Sequence, residues 1–153
     1  MNHRVEHPYP GRRRWMSVLA RAPAERIDAL LAGCAALPDH AILRGPEAGL
    51  VMVRGRAGGG GAAFNLGEMT VTRCTVRTAT GRIGHAYVAG RDMRQAELAA
   101  LVDALMLDAE WTEDLEARVI LPLEQAQTAA RADRTGKAAA TRVQFFAMQT
   151  TRA

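Results

Sequence analysis

The stretch MTVTRCTVRTATGRIGHAYV, residues 69–88, decides the fold. Its first ten residues are rich in valine and threonine, so Met69–Thr78 reads as one long strand. Thr80-Gly81 then reads as a two-residue hairpin loop, because glycine supplies the positive φ that such loops need. On that loop the return strand runs antiparallel, with Val76 opposite His85 and Cys74 opposite Tyr87. Ile83, His85 and Tyr87 then share one face, since side chains alternate along a strand.

Upstream, Ala41–Arg44 and Leu50–Arg54 are short apolar runs separated by GPEAG, a turn composition. Downstream, TRVQFFAMQ (141–149) has strand character. The expectation is an antiparallel meander of four to five strands. Before it, Trp15, Val18, Leu19 and Ala22 repeat at helical spacing, and Ile27, Leu30, Leu31 and Cys34 repeat the same pattern after Pro23. This predicts a helical hairpin with an apolar seam, in which Cys34 is a small buried residue. After GRD, Leu98, Leu101, Val102 and Leu105 form another stripe, with Asp92 placed as the N-cap. An acidic stretch from Asp108 to Glu116 follows, and Pro122 opens an alanine-rich helix interrupted by Gly136. That helix has little apolar surface of its own and suits a partner. Helices, meander, helices is the order of an α+β domain, expected over 12–150 behind a flexible basic extension, 1–11.

The 153 residues are 48% hydrophobic, enough for a real core, and contain no run of about 18 apolar residues to cross a membrane. The basic N-terminus lacks the apolar stretch and cleavage site of a secretory signal. Cys34 and Cys74 match no disulfide framework or redox motif, so a reducing cytoplasm is expected. The net charge of +4 is concentrated at the two ends, and Lys137 is the sole lysine. Basic ends attract nucleic acid, but the chain has only seven aromatics and no recognised reader motif, which argues against that class.

The four glycines at 58–61 resemble a phosphate loop until their context is read. A Walker loop needs Lys and Ser/Thr next, and Ala62-Ala63-Phe64 stands there instead. A dinucleotide fingerprint needs a helix next, and the β-like FNLGEMTVTRC follows. What remains is a hairpin tip whose amides could form an anion nest, with Arg54 and Arg56 beside it and Arg91 projecting from the GRD corner. No metal cluster is legible in the scattered His3, His7, His40 and His85. Glu97 and Asp103 sit roughly 120° apart on a helix and do not form an acid pair. Ser17 is the only serine, and Cys74 with His85 is diagonal on the register above. No catalytic residue is assigned.

RRWMSVLARA (13–22), EAGLVMVRGRAGGGGAAFNLGEMTVTRCTVR (47–77), GHAYVAGRDMRQAELAALVDALM (84–106) and ATRVQFFAM (140–148) resemble the G subunit of the bacterial carbon–phosphorus lyase system. The resemblance implies a subunit of a core complex with H, I and J subunits, the I subunit being the most direct partner, and an ATPase-like L subunit. It implies support for displacement of adenine from ATP by a phosphonate, giving ribose 1-alkylphosphonate 5-triphosphate. The Fe–S cluster and S-adenosylmethionine of that system belong to its J subunit, so this chain is expected to hold no cofactor and to lack activity alone. The best-matching positions, Arg14, Trp15, Met16, Gly55, Arg56, Gly59, Arg73, Arg91 and Asp92, are the expected interface residues. The alternative is a free-standing nucleotide or ribose-phosphate binding domain built on Gly58–Gly61.

Overall fold

The computed structural model describes residues 11–56 and 61–140. Helices α1 (Arg12–Leu19) and α2 (Ala24–Leu31) precede strands β1 (His40–Gly55), β2 (Phe64–Thr78) and β3 (Ile83–Ala89). Helix α3 (Met93–Leu105), helix α4 (Ala109–Leu115), a π-helical turn (Glu116–Ile120) and helix α5 (Leu121–Ala140) follow. The architecture is α+β, and the strands form one antiparallel sheet in the order β1-β2-β3.

Among the described residues the sheet has three strands, fewer than the four to five expected. The reason lies at GPEAG, which does not turn the chain. Gly45 takes a φ of +70°, and the pairing with β2 slips between Ile42 and Arg44 and again between Arg44 and Glu47. The segment is thereby absorbed as irregularities within a single 16-residue strand. Turns and bulges draw on the same residues, so composition alone does not separate them. The expected strand at 141–149 and the extension up to residue 10 lie outside the described residues.

The hairpin register is also corrected. The Gly81 N–H donates to the Thr78 carbonyl at 2.9 Å, and the Thr78 N–H donates to the Arg82 carbonyl at 2.9 Å. With Gly81 at φ +84° the loop is three residues, Ala79 to Gly81, not two. Every pair therefore moves by one: Val76 faces Gly84, Thr75 faces His85 and Cys74 faces Ala86. Ile83, His85 and Tyr87 share the exposed face of β3, as expected, while Gly84, Ala86 and Val88 turn inward.

Helix α3 is the centre of the molecule. Leu98, Leu101, Val102 and Leu105 are buried as the stripe predicted, but so are Ala96, Ala99, Ala100 and Ala104. A helix apolar on all sides belongs inside. The alanines allow the sheet to approach closely: a Cβ on Gly84 would collide with backbone atoms of Ala100 and Ala104. On its other side α3 meets α1 and α2, whose Trp15, Val18, Leu19, Ile27 and Leu31 are buried, as is Ala22 between them. Pro23 caps α2 from the preceding position, and Asp92 Oδ1 accepts the Gln95 N–H at 2.9 Å as the N-cap of α3. The last carbonyls of α1 are met by side chains: Gln127 Nε2 donates to Val18 at 2.8 Å and Gln95 Nε2 to Ala20 at 3.1 Å. Pro122 has no N–H to give to the preceding turn, and the chain there is a π-helical turn that ends at Ile120; helix α5 then runs through both Pro122 and Gly136.

Candidate functional site

Among the described residues, no three His, Cys, Asp or Glu side chains group to hold a metal. The corrected register puts Cys74 on the buried face and His85 on the open one, which removes the thiol–imidazole pair. Burial pushes the Cys74 and Cys34 thiols up, away from the thiolate that a nucleophile needs. Cys34, expected to be buried, is partly exposed.

Among the described residues one charged side chain is fully buried, and the sequence did not reveal its role. Asp103 is fully buried, and its carboxylate accepts four hydrogen bonds. Oδ1 takes Arg12 Nε at 3.1 Å and Trp15 Nε1 at 2.9 Å; Oδ2 takes Arg12 Nη2 at 2.8 Å and the His85 backbone N–H at 2.9 Å. It ties α1, α3 and β3 together. All its partners belong to the scaffold, so this is a joint and not a reaction centre.

The open face of the sheet is chemically different. In one cross-strand row stand Arg44, Thr75 and His85; in the next stand Glu47, Arg73 and Tyr87. Glu47 Oε1 accepts from the Nε of both Arg44 and Arg73, at 2.8 Å each. These hydrogen bonds, Arg44's first, hold the Glu47 carboxyl below the usual carboxylate range. His85 Nδ1 lies 3.1 Å from Thr75 Oγ1. Together with Met16 from α1, these strands line a groove of about 210 Å³.

Past this face the sheet narrows to an arm. β3 pairs only with Val71–Arg77, so Leu50–Gly55 and Phe64–Thr70 continue as a two-stranded ribbon. Leu50 is 64% exposed, Leu66 58%, Met52 51% and Phe64 47%. Val51, Val53, Phe64, Leu66 and Met69 fall on one side of the ribbon, Leu50 and Met52 on the other. A larger cleft of about 500 Å³ lies between α2, α3 and the start of β1; there His40 Nε2 is 3.3 Å from Glu97 and Arg94 pairs with Asp28 at 2.9 Å.

A family model described as phosphonate metabolism protein PhnG matches residues 10–151. The chain belongs to the PhnG family. A Rhizobium meliloti (strain 1021) protein described as alpha-D-ribose 1-methylphosphonate 5-triphosphate synthase subunit PhnG is 45% identical over 142 residues, covering 90% of this chain and 87% of that protein. The resemblance read from the sequence is therefore upheld, and phosphonate metabolism in a multisubunit complex is the family's setting.

The PhnG match runs through the sheet, the arm and the central helix alike, and the sequence-selected residues scatter across them. Trp15 is 6% exposed and faces the core. Arg14 grips Glu116 and Glu124, each at 2.6 Å, fastening α1 to the far helices. Asp92 is occupied as a helix cap, and Arg91 is exposed beside it. Gly55 and Arg56 stand at the end of the arm, and Gly59 lies outside the described residues. Arg73 lies on the open sheet face and Met16 borders its groove. Of the three anion candidates, Arg54 and Arg56 are near the arm's tip, with Arg54 Nη2 donating to the Ala63 carbonyl at 3.3 Å. Arg91 is at the arm's root, where the Gly90 N–H meets the Thr70 carbonyl. Asn65, the partner of Arg54, is five residues from Thr70, about 17 Å of strand. The three are not gathered into one site.

Proposed function

We propose that this chain is a subunit of the carbon–phosphorus lyase core complex in organic phosphonate breakdown, without activity of its own. In this reading it supports displacement of adenine from ATP by a phosphonate, giving ribose 1-alkylphosphonate 5-triphosphate, together with H, I and L subunits in the cytoplasm. The I subunit is its most direct contact. The chain contributes docking surface; the Fe–S cluster and S-adenosylmethionine of the later step sit in the J subunit, and ATP enters as substrate of the assembly.

The observation that carries the reading is the arm. Two strands with large apolar side chains on both sides bury too little to stabilise themselves, and exposed apolar clusters on soluble proteins mark contact surfaces. Leu50, Met52 and Leu66 are more than half uncovered in the isolated chain and Phe64 nearly half, which fits insertion between elements of another subunit. Arginine at the tip, Arg54 and Arg56, adds the polar rim that such interfaces have.

The test is co-expression with the H, I and J subunits. Leu50→Ser combined with Phe64→Ser is expected to abolish co-purification with the I subunit while the far-ultraviolet circular dichroism of the chain is retained. Unchanged co-purification of the double variant would remove the arm from the assembly, and a wild-type chain that recruits none of the three would remove the proposal.

A further inference from the structure

The groove on the open sheet face is separate from the apolar arm, and its lining has a chemistry of its own. Two arginines and a histidine border it, and no carboxylate does. The nearest acid, Glu47, holds Arg44 and Arg73 by their Nε atoms through a single oxygen. That contact draws two guanidinium groups together against their mutual repulsion and fixes their planes. It also leaves the Nη nitrogens of both without a hydrogen-bond partner among the described residues. Paired N–H groups on a planar cation are the fork that matches two oxygens of a phosphoryl or phosphonyl group. Thr75 holds the imidazole of His85 by Nδ1, and Tyr87 stands across from Arg73, so both border the same space. The cavity, about 210 Å³, holds roughly seven waters at liquid density, room for more than one phosphoryl group.

We propose that this groove binds the phosphoryl or phosphonyl end of a small anionic molecule, with Arg44 and Arg73 as the gripping pair and His85 and Tyr87 as flanking donors. The ligand class follows from the lining and goes beyond the assembly reading, which rests on the arm. A short concave groove, in place of a long basic track, favours a small molecule over a nucleic-acid strand. The acidic content of the larger cleft, with Asp28, Asp39 and Glu97 on its walls, disfavours an anion there.

The full chain, titrated with sodium tripolyphosphate in a calorimeter, tests this. Binding is expected, weakened by about tenfold or more in Arg44→Gln and in Arg73→Gln, the loss of one charge-assisted fork. Arg94→Gln, an exposed ion-paired arginine on another side of the molecule, is expected to leave it unchanged. Equal weakening by Arg94→Gln would mean attraction by net charge alone and would overturn the site. No heat from the wild-type chain at millimolar tripolyphosphate, or tighter binding of a single-stranded oligonucleotide than of tripolyphosphate, would also overturn it. Co-purification of the same variants with the partner subunits separates the two readings. Variants that assemble but do not bind the anion support the groove as a ligand site, whereas variants that bind it but do not assemble make these arginines contact residues instead.

Discussion

Asp103 shows how much one side chain can decide. It sits in LVDALM, inside a buried helix, where an ionised carboxylate is stable only if its oxygens are fully used. Arg12, Trp15 and the His85 amide use them. Asp103→Asn keeps the shape but exchanges an acceptor for a donor, leaving Arg12 and one N–H facing the wrong atom. A loss of about 2–4 kcal/mol is expected, read as a fall of roughly 5–15 °C in the thermal midpoint. A shift within 2 °C or so would mean that the four contacts are spectators. The exposed pair of Arg14 and Glu124 is the opposite case. The hydrogen bond from Arg14 holds the Glu124 carboxyl below its usual range. Its stabilising effect is therefore complete above the ordinary glutamate value near ~4.3 and is lost as pH falls through the depressed one. Both side chains are more than a third exposed, so the effect is below about 1 kcal/mol. Glu124→Gln is expected to lower the midpoint by about 1–3 °C at neutral pH, and by progressively less as the pH falls below the ordinary glutamate value. A difference that persists into acid would contradict the pairing.

At the scale of elements, the approach of α3 to β3 sets the geometry of the open face. Gly84 lies against the backbone of Ala100 and Ala104, so even a methyl group forces the strand and helix apart. Gly84→Ala is expected to cost about 1–3 kcal/mol or more by overpacking, seen as a lower urea midpoint with an unchanged slope. A midpoint equal to wild type would mean that the strand can retreat freely. The helices here were legible because their apolar spacing and caps are local: Trp15 to Ala22, Ile27 with Leu31, and Asp92 before Leu98 all behave as the pattern says. The sheet was legible in kind but not in register. Whether Gly81 closes a two- or a three-residue loop depends on one dihedral, and whether GPEAG turns or bulges depends on a strand 26 residues away that pairs Glu47 with Arg73. The groove inherits both decisions. Arg44, Arg73 and His85 are far apart in the sequence and become neighbours only once the pairing is fixed, whereas the glycine run, apart from Gly61, lies outside the described residues.

At the scale of the whole molecule, stability is distributed unevenly, and the least anchored part is the arm that we propose as the docking surface. β2 is anchored from Val71 to Thr78 between two strands and against α3, but from Phe64 to Thr70 it has a single neighbour and exposed apolar side chains. The second half of α5 is likewise uncovered: its described side chains from Thr128 onward are all exposed. Amide protection follows the free energy of local opening, which is low where few apolar contacts are made. In the isolated chain, amides of Val51–Val53 and Gly67–Met69 are therefore expected to exchange at least about a hundredfold faster than those of Cys74, Val76 and Leu101–Leu105, because each step of about 1.4 kcal/mol in opening energy is tenfold in rate. In the assembled complex the arm's amides are expected to slow toward the core's, while the core changes little. An arm already as protected as the core in the free chain would mean that it is self-sufficient, and the structural reason for assigning it to a partner would be gone.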